Sequence, residues 1–276
     1  MKPFLRLRAV MLDWAGTAVD HGSIAPVIVL QELFACRHIV LSSEEARRDM
    51  GLLKRDHILA ILALPSVSEK WRAAAGRDPA PEDVDSLYAD FNLLQPNILS
   101  SHSQLIDGVV EATAAWRAQG LCIGSTTGYT REMLIPIAEL AAAGGYAPDA
   151  SVCPDEVGAG RPAPWMLHRN MRILDIYPPS SCVKIGDTVS DIEEGRNAGM
   201  WTIGLTRTGN LVGLDASAWA QMDPGSQQSR LASAAQQLLQ AGANYVAEDL
   251  AACTPLLEQI EERLCDSLEM GGERIQ

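Results

Sequence analysis

Three aspartates carry the first chemical signal in this chain. The apolar run "AVML" climbs into Asp13 and then bends through "WAGT", a small loop with a glycine and a hydroxyl. Further on, "GDTVSD" sets Asp187 and Asp191 four residues apart, at a strand end and in the first turn of the helix that follows. Carboxylates gathered on one rim repel one another unless a cation lies between them. Oxygen-rich sites of that kind suit Mg²⁺, which takes carboxylates, waters and phosphate oxygens. Asp13 and Asp187 are therefore candidate metal ligands, and Asp191 is a ligand or a residue that orients one. A lone Asp after a strand is as easily a turn cap, and only the three together weigh against that reading.

Two loops offer groups for an anion. Thr127 and Gly128 place a hydroxyl and a loop amide just before a helix that starts near Thr130. Such groups can hold a phosphate, or simply cap the helix. "GAGRPAPW" sets Arg161 between a glycine-rich turn and two prolines. A guanidinium on a rigid loop suits bidentate recognition of a phosphate-like group, although a solvated loop arginine is the commoner case.

The elements that must position these groups follow from periodicity. From about Val109 onward, strand-like and helix-like segments alternate, with strands at "LCIGS", "ASVC", "CVKIG" and "MWTIGL". This rhythm is that of an α/β fold, a Rossmann-like doubly wound parallel sheet with helices on both faces. Ligands bind at the carboxyl ends of such strands. Asp13, Thr127 with Gly128, and Asp187 each follow a strand, so all three belong on one rim. Residues 23–103 instead carry helical periodicity. The expected organisation is a core of residues 1–22 and 104–276 with a helical cap domain, 23–103, inserted after the first strand. Ser42 and Glu45 form a capping box for a helix through "EARRDMGLLKRDHILAIL". A second helix is expected from Glu82 to about Leu94, ahead of Pro96. On the first, Met50 stands four residues before Lys54 and His57 three after, so the three share a helix face. Residues 207–229 read as surface decoration.

Composition narrows the partners. The formal net charge of −13 argues against a nucleic-acid or anionic-membrane surface as the main partner. Hydrophobic content is 47% and charged content 21%, ordinary for a globular chain of 276 residues with a sizeable core. No apolar run is long enough to span a bilayer, and no apolar segment of signal-peptide type precedes the first strand. The six cysteines include no C-x-x-C pair, which points to reduced thiols in a cytoplasmic protein.

Together, "DWAGT", "MGLLKRDH", "GSTTGYTREM", "GRPAPWM" and "KIGDTVSDIEEGRNAGMW" resemble the phosphonatase (phosphonoacetaldehyde hydrolase) family of the haloacid dehalogenase-like superfamily, over roughly Ala9 to Leu205. Most of that superfamily has Asp-x-Asp in the first motif, the second Asp protonating an oxygen leaving group. Here that position is Ala15. A carbon leaving group needs an electron sink instead, and an imine between a lysine and an aldehyde provides one. The resemblance implies that Asp13 is the nucleophile and Lys54 the Schiff-base lysine. It gives His57 proton transfer at the imine or the orienting of a water, and Met50 an apolar contact beside it. It further implies that Thr127, Gly128 and Arg161 bind the phosphonate, and that Mg²⁺ sits on Asp13, the backbone carbonyl of Ala15 and Asp187, with Asp191 in support. The substrate would be a small phosphonate and the assembly a homodimer. Family members can carry a Cys where this chain has Ser23. Two other readings stay open: a capped phosphatase or phosphomutase acting on a small phosphate ester, and a non-catalytic binding protein on the same scaffold.

Overall fold

The structure, a computed structural model, describes residues 3–272. Six strands form one sheet: β1 Ala9–Leu12, β2 Cys122–Thr126, β3 Ala150–Val152, β4 Cys182–Gly186, β5 Trp201–Leu205 and β6 Tyr245–Ala247. Their order is β3-β2-β1-β4-β5-β6, and every neighbouring pair is parallel. β1 and β4 are buried along their whole length between two helical layers, β1 as a continuous apolar run and β4 with one charge in it, Lys184. Alternation on β1 separates the layers. Val10 and Leu12 join one apolar cluster with Trp116, Ile137 and Leu257, while Ala9 and Met11 join another with Leu167 and Met171.

The chain builds β2 and β3 on one side of β1, then crosses to build β4, β5 and β6 on the other. β1 therefore lies at the switch point where α/β sheets open a crevice at their carboxyl ends. Register levels the rim: Leu12 stands opposite Ser125 of β2 and Ile185 of β4. Asp13, Thr126 and Gly186 are thus the next residues on three adjacent strands.

Between β1 and Val109 the chain inserts five helices: α1 Ile24–Ala35, α2 Ser43–Arg47, α3 Lys54–Leu62, α4 Pro65–Ala75 and α5 Pro81–His102. They bury an apolar cluster of their own, including Leu30, Leu33, Phe34, Ile58, Ile61, Trp71, Leu87 and Phe91. The sheet is flanked by α6 Val109–Ala118, α7 Arg131–Ala143, α8 Trp165–Ile173 and α9 Val189–Asn197, and then by α10 Ala216–Gln221, α11 Pro224–Gln240 and α12 Thr254–Gly272. Among the described residues no helix is long and apolar enough to cross a membrane.

Two expected helices differ from those found. The capping box at Ser42 and Glu45 is present, but the helix it opens ends at Arg47. Asp49 and Gly51 take positive φ values of 59° and 95°, which no right-handed helix accommodates, and helix resumes only at Lys54. In contrast, the helix expected to stop ahead of position 96 runs on to His102. Leu87 and Phe91 on its buried face join the cluster with α1, and this packing outweighs the local break.

Candidate active site

Asp13 leaves β1 with its N–H donated to the carbonyl of Ile185 at 3.0 Å. The loop after it turns at Gly16, where φ is +80° and a Cβ would lie 2.2 Å from Asp187 Oδ2. Only glycine allows that approach. Asp187 is held from two sides: Thr17 Oγ1 donates to Oδ1 at 3.2 Å and the Asn210 N–H donates to Oδ2 at 2.7 Å. One carboxylate oxygen from each of Asp13, Asp187 and Asp191 falls within 4.8 Å of the other two, all of them buried. Burial, reinforced by the charges of Asp13 and Asp191, pushes the Asp187 carboxyl well above its usual range against the Asn210 N–H and Arg161. A divalent cation shared by these oxygens would offset that repulsion, and an all-oxygen donor set suits one.

Asp191 faces elsewhere with most of its contacts. Its Oδ2 accepts from Thr188 Oγ1 at 2.6 Å, closing a capping box, and its Oδ1 lies 2.9 Å from both Arg161 and Lys184. Burial raises this carboxyl's pKa, but the two cations and Thr188 outweigh it and hold the group ionised. Arg161 also touches the nucleophile candidate directly, donating to Asp13 Oδ1 at 2.7 Å. Burial pulls the guanidinium's pKa down, and Asp13, Asp191 and Glu194 more than restore it. Thr127 Oγ1 accepts from the Tyr129 N–H at 3.1 Å, while Thr130 is the residue that caps α7. A Cβ on Gly128 would come within 3.1 Å of the Leu52 carbonyl, so this glycine sets how closely the helical insertion meets the rim.

The insertion delivers Lys54 at the first position of α3, where its side chain is buried. Met50 lies in the turn before the helix rather than on a shared helix face, yet its Sδ is 3.7 Å from Lys54 Nζ. Lys54 Nζ also stands 5.5 Å from the centre of the Tyr129 ring. Burial pushes the amine down to about 8, with Asp13 opposing and Arg161 adding to the fall. His57 is fully buried one turn along. Burial and the Lys54 charge push it down to about 3, against the carbonyls of Arg48 and Ala46, so the ring is neutral. Asp13, Ala15, Met50, Lys54, Thr127, Gly128 and Arg161 together line one small cleft.

A model of haloacid dehalogenase-like hydrolases matches residues 7–199. The chain is 45% identical to a phosphonoacetaldehyde hydrolase of Nitratidesulfovibrio vulgaris, over 96% of this chain and 97% of that one. It is 42% identical to a phosphonoacetaldehyde hydrolase of Bacillus cytotoxicus, over 94% and 98%. The chain belongs to the phosphonoacetaldehyde hydrolase family. The crystal structure of a phosphonoacetaldehyde hydrolase-like protein from Oleispira antarctica superposes with a TM-score of 0.92 at 37% identity, covering 96% of each chain.

Within this phosphonoacetaldehyde hydrolase fold the cleft has members the motifs did not single out. Ser23, Pro26, Gly51, Tyr129 and Thr188 also line it. Tyr129 was within reach of sequence reasoning, since it follows directly on Thr127 and Gly128. Residues 207–213, part of a stretch expected only to decorate the surface, instead reach the site. Thr208 and Asn210 are buried, and Thr208 Oγ1 donates to the Gly16 carbonyl at 2.8 Å. Asn210 also meets Arg47 of the insertion. Arg47 donates to Asn210 Oδ1 at 3.1 Å, to the Gly22 and Gly213 carbonyls at 2.7 and 3.0 Å, and receives Asn210 Nδ2 on its own carbonyl at 3.3 Å. One hydrogen-bonded line thus runs from α2 through Asn210 to Asp187.

Proposed function

We propose that this chain hydrolyses the P–C bond of phosphonoacetaldehyde to acetaldehyde and phosphate. The observation that carries the reading is Lys54: a buried amine with its pKa lowered to about 8, in one cleft with Asp13, opposite an Ala15 that can protonate nothing. The names of the relatives support the same substrate.

Lys54 Nζ, as the free amine, adds to the aldehyde carbon, and loss of water leaves an iminium. Neutral His57, three residues along α3, serves the proton transfers of that exchange. Asp13 then attacks phosphorus through a carboxylate oxygen. The P–C bond breaks, its electron pair flows into the iminium, and an enamine and an aspartyl phosphate result. Water hydrolyses the aspartyl phosphate. The enamine takes a proton on carbon, and water releases acetaldehyde from Lys54. One water is consumed overall. Thr127, the Gly128 amide and Arg161 hold the phosphonate end, and Met50 gives the imine an apolar neighbour. Asp13, the Ala15 carbonyl and Asp187 would hold Mg²⁺, with Asp191 fixing the surroundings. Bound there, the ion would neutralise charge on the phosphonate oxygens.

On this reading residues 23–103 act as a cap that carries Lys54 over a core of 1–22 and 104–276, and the working assembly is a homodimer, to be checked by sedimentation. The deciding experiment measures acetaldehyde and phosphate release from phosphonoacetaldehyde with and without Mg²⁺, and inactivation by borohydride in the presence of the aldehyde. Phosphate release from a small phosphate ester, with no borohydride inactivation, would establish the capped phosphatase instead.

A further inference from the structure

We infer that Glu194 and Lys184, neither of which lines the cleft, are positioning residues for phosphoryl transfer: they fix the plane of Arg161 and through it the aim of Asp13. The inference rests on the reading above. Its ground is a fully buried cluster behind the rim. The side chains of Lys184, Asp191 and Glu194 have no exposed surface, and that of Arg161 is 1% exposed. Arg161 meets protein groups at every nitrogen. Nε donates to Glu194 Oε2 at 3.0 Å and Nη1 lies 2.9 Å from Asp191 Oδ1. Nη2 donates to Asp13 Oδ1 at 2.7 Å and to Thr126 Oγ1 at 2.8 Å.

The division of labour is geometric. A guanidinium is a rigid plane, so contacts at Nε and Nη1 determine where Nη2 points. Glu194 and Asp191, three residues apart on one face of α9, hold the two nitrogens that flank Nη2 on either side. Nη2, set between them, holds the nucleophile. Thr126 Oγ1 ties the halves together, accepting from Arg161 Nη2 and from Lys184 Nζ at 2.8 Å and donating to Glu194 Oε2 at 3.0 Å. Lys184, on β4, lies 2.9 Å from Asp191 and 3.4 Å from Glu194, so neither acid is buried beside Arg161 alone. Two cations and two acids this deep are a poor way to gain stability, since apolar side chains of the same volume do as well or better. What apolar residues cannot do is hold a guanidinium in one plane.

Borohydride trapping separates aim from folding, because the imine forms on Lys54 of the insertion. Trapped before P–C cleavage, Lys54 carries a heavier adduct that keeps phosphorus; trapped after, it carries an ethyl group. Wild-type protein should yield mainly the ethyl adduct. Glu194→Gln keeps the size and an acceptor oxygen but removes the charge. Its kcat should fall roughly tenfold to a hundredfold, the scale expected when a reacting group is displaced slightly. Total trapping should stay within about twofold of wild type, KM should change little, and the adduct should shift to the phosphorus-bearing form. Lys184→Gln should act the same way. Full turnover in either folded variant overturns the inference. So does loss of trapping in step with turnover in both, which would make the cluster a part of the fold only. A wild-type protein that is not trapped at all instead overturns the Schiff-base reading, whatever the variants do.

Discussion

Arg161 on the sheet rim and Lys54 on the helical insertion are both buried cations, and their surroundings act in opposite directions. Around Arg161 three carboxylates outweigh the cost of burial and keep the charge on. Around Lys54 the neighbours are Met50, Tyr129 and a neutral His57, and burial takes the charge partly off. On the proposed reading the rim handles a group that arrives charged, the phosphonate, and the insertion makes an amine easier to deprotonate before it meets a carbonyl. One cleft serves both because the two halves have separate environments.

The largest effects should come from removing one half while sparing the other. Asp13→Asn should cut turnover by about a thousandfold or more, the loss typical of a missing nucleophile, while borohydride still traps Lys54 with its phosphorus-bearing adduct. Lys54→Arg keeps the positive charge and cannot form an imine. It should abolish both trapping and P–C cleavage, with Mg²⁺ binding by calorimetry unchanged. Substantial phosphate release by Lys54→Arg would break the division outright.

Asp187→Asn should follow, with activity lower by about a hundredfold or more and much of its response to added Mg²⁺ lost. Chelation of wild-type protein should reproduce the loss, and Mg²⁺ should restore it. Trapping of Lys54 should survive either treatment.

A smaller effect tests the pKa of Lys54 itself. The free amine is the reactive form, so the rate of trapping should rise with pH about tenfold per unit and level off above about 8. An unperturbed lysine would keep rising to about 10.4. The smallest effect concerns stability. Lys54 binds its proton less well folded than unfolded, so between about 8 and its ordinary value of 10.5 the unfolded chain holds more protons and stability grows with pH. Below that window the folded protein bears the full cost of the buried ammonium. Lys54→Met should therefore raise Tm at pH 7, by a few degrees, and the gain should shrink as pH rises toward 10.

Much of the rim was legible because parallel strands end in register. A carboxylate, a hydroxyl with glycine and a second carboxylate, each after an apolar run, had to meet at one edge, and Asp13, Thr127 and Asp187 do. The insertion was harder to read. Met50, Lys54 and His57 do gather, but not on one helix, because the "DMG" turn breaks the run at Asp49 and Gly51. Periodicity registers side-chain spacing and not a pair of positive φ values, so the grouping was expected for a reason the backbone does not follow. The hold of Asn210 on Asp187 was missed because it is made by a backbone N–H, to which every residue type but proline has equal claim. Lys184 and Glu194 did leave a trace: a lysine inside the buried strand "CVKIG" and an acid one turn beyond Asp191. A charge in a strand covered on both faces requires a partner, and that requirement is visible before any coordinates.

The apolar cluster inside residues 24–94 has a last consequence. The lysine sits on a part held together largely by its own apolar side chains. Where it meets the rim, backbone comes close to backbone at Gly128 and Leu52 and Arg47 reaches across with a fork of hydrogen bonds, while α5 packs on α7. The amine and the phosphorus-handling rim thus stand on separately packed elements whose registration sets the distance between the two chemistries.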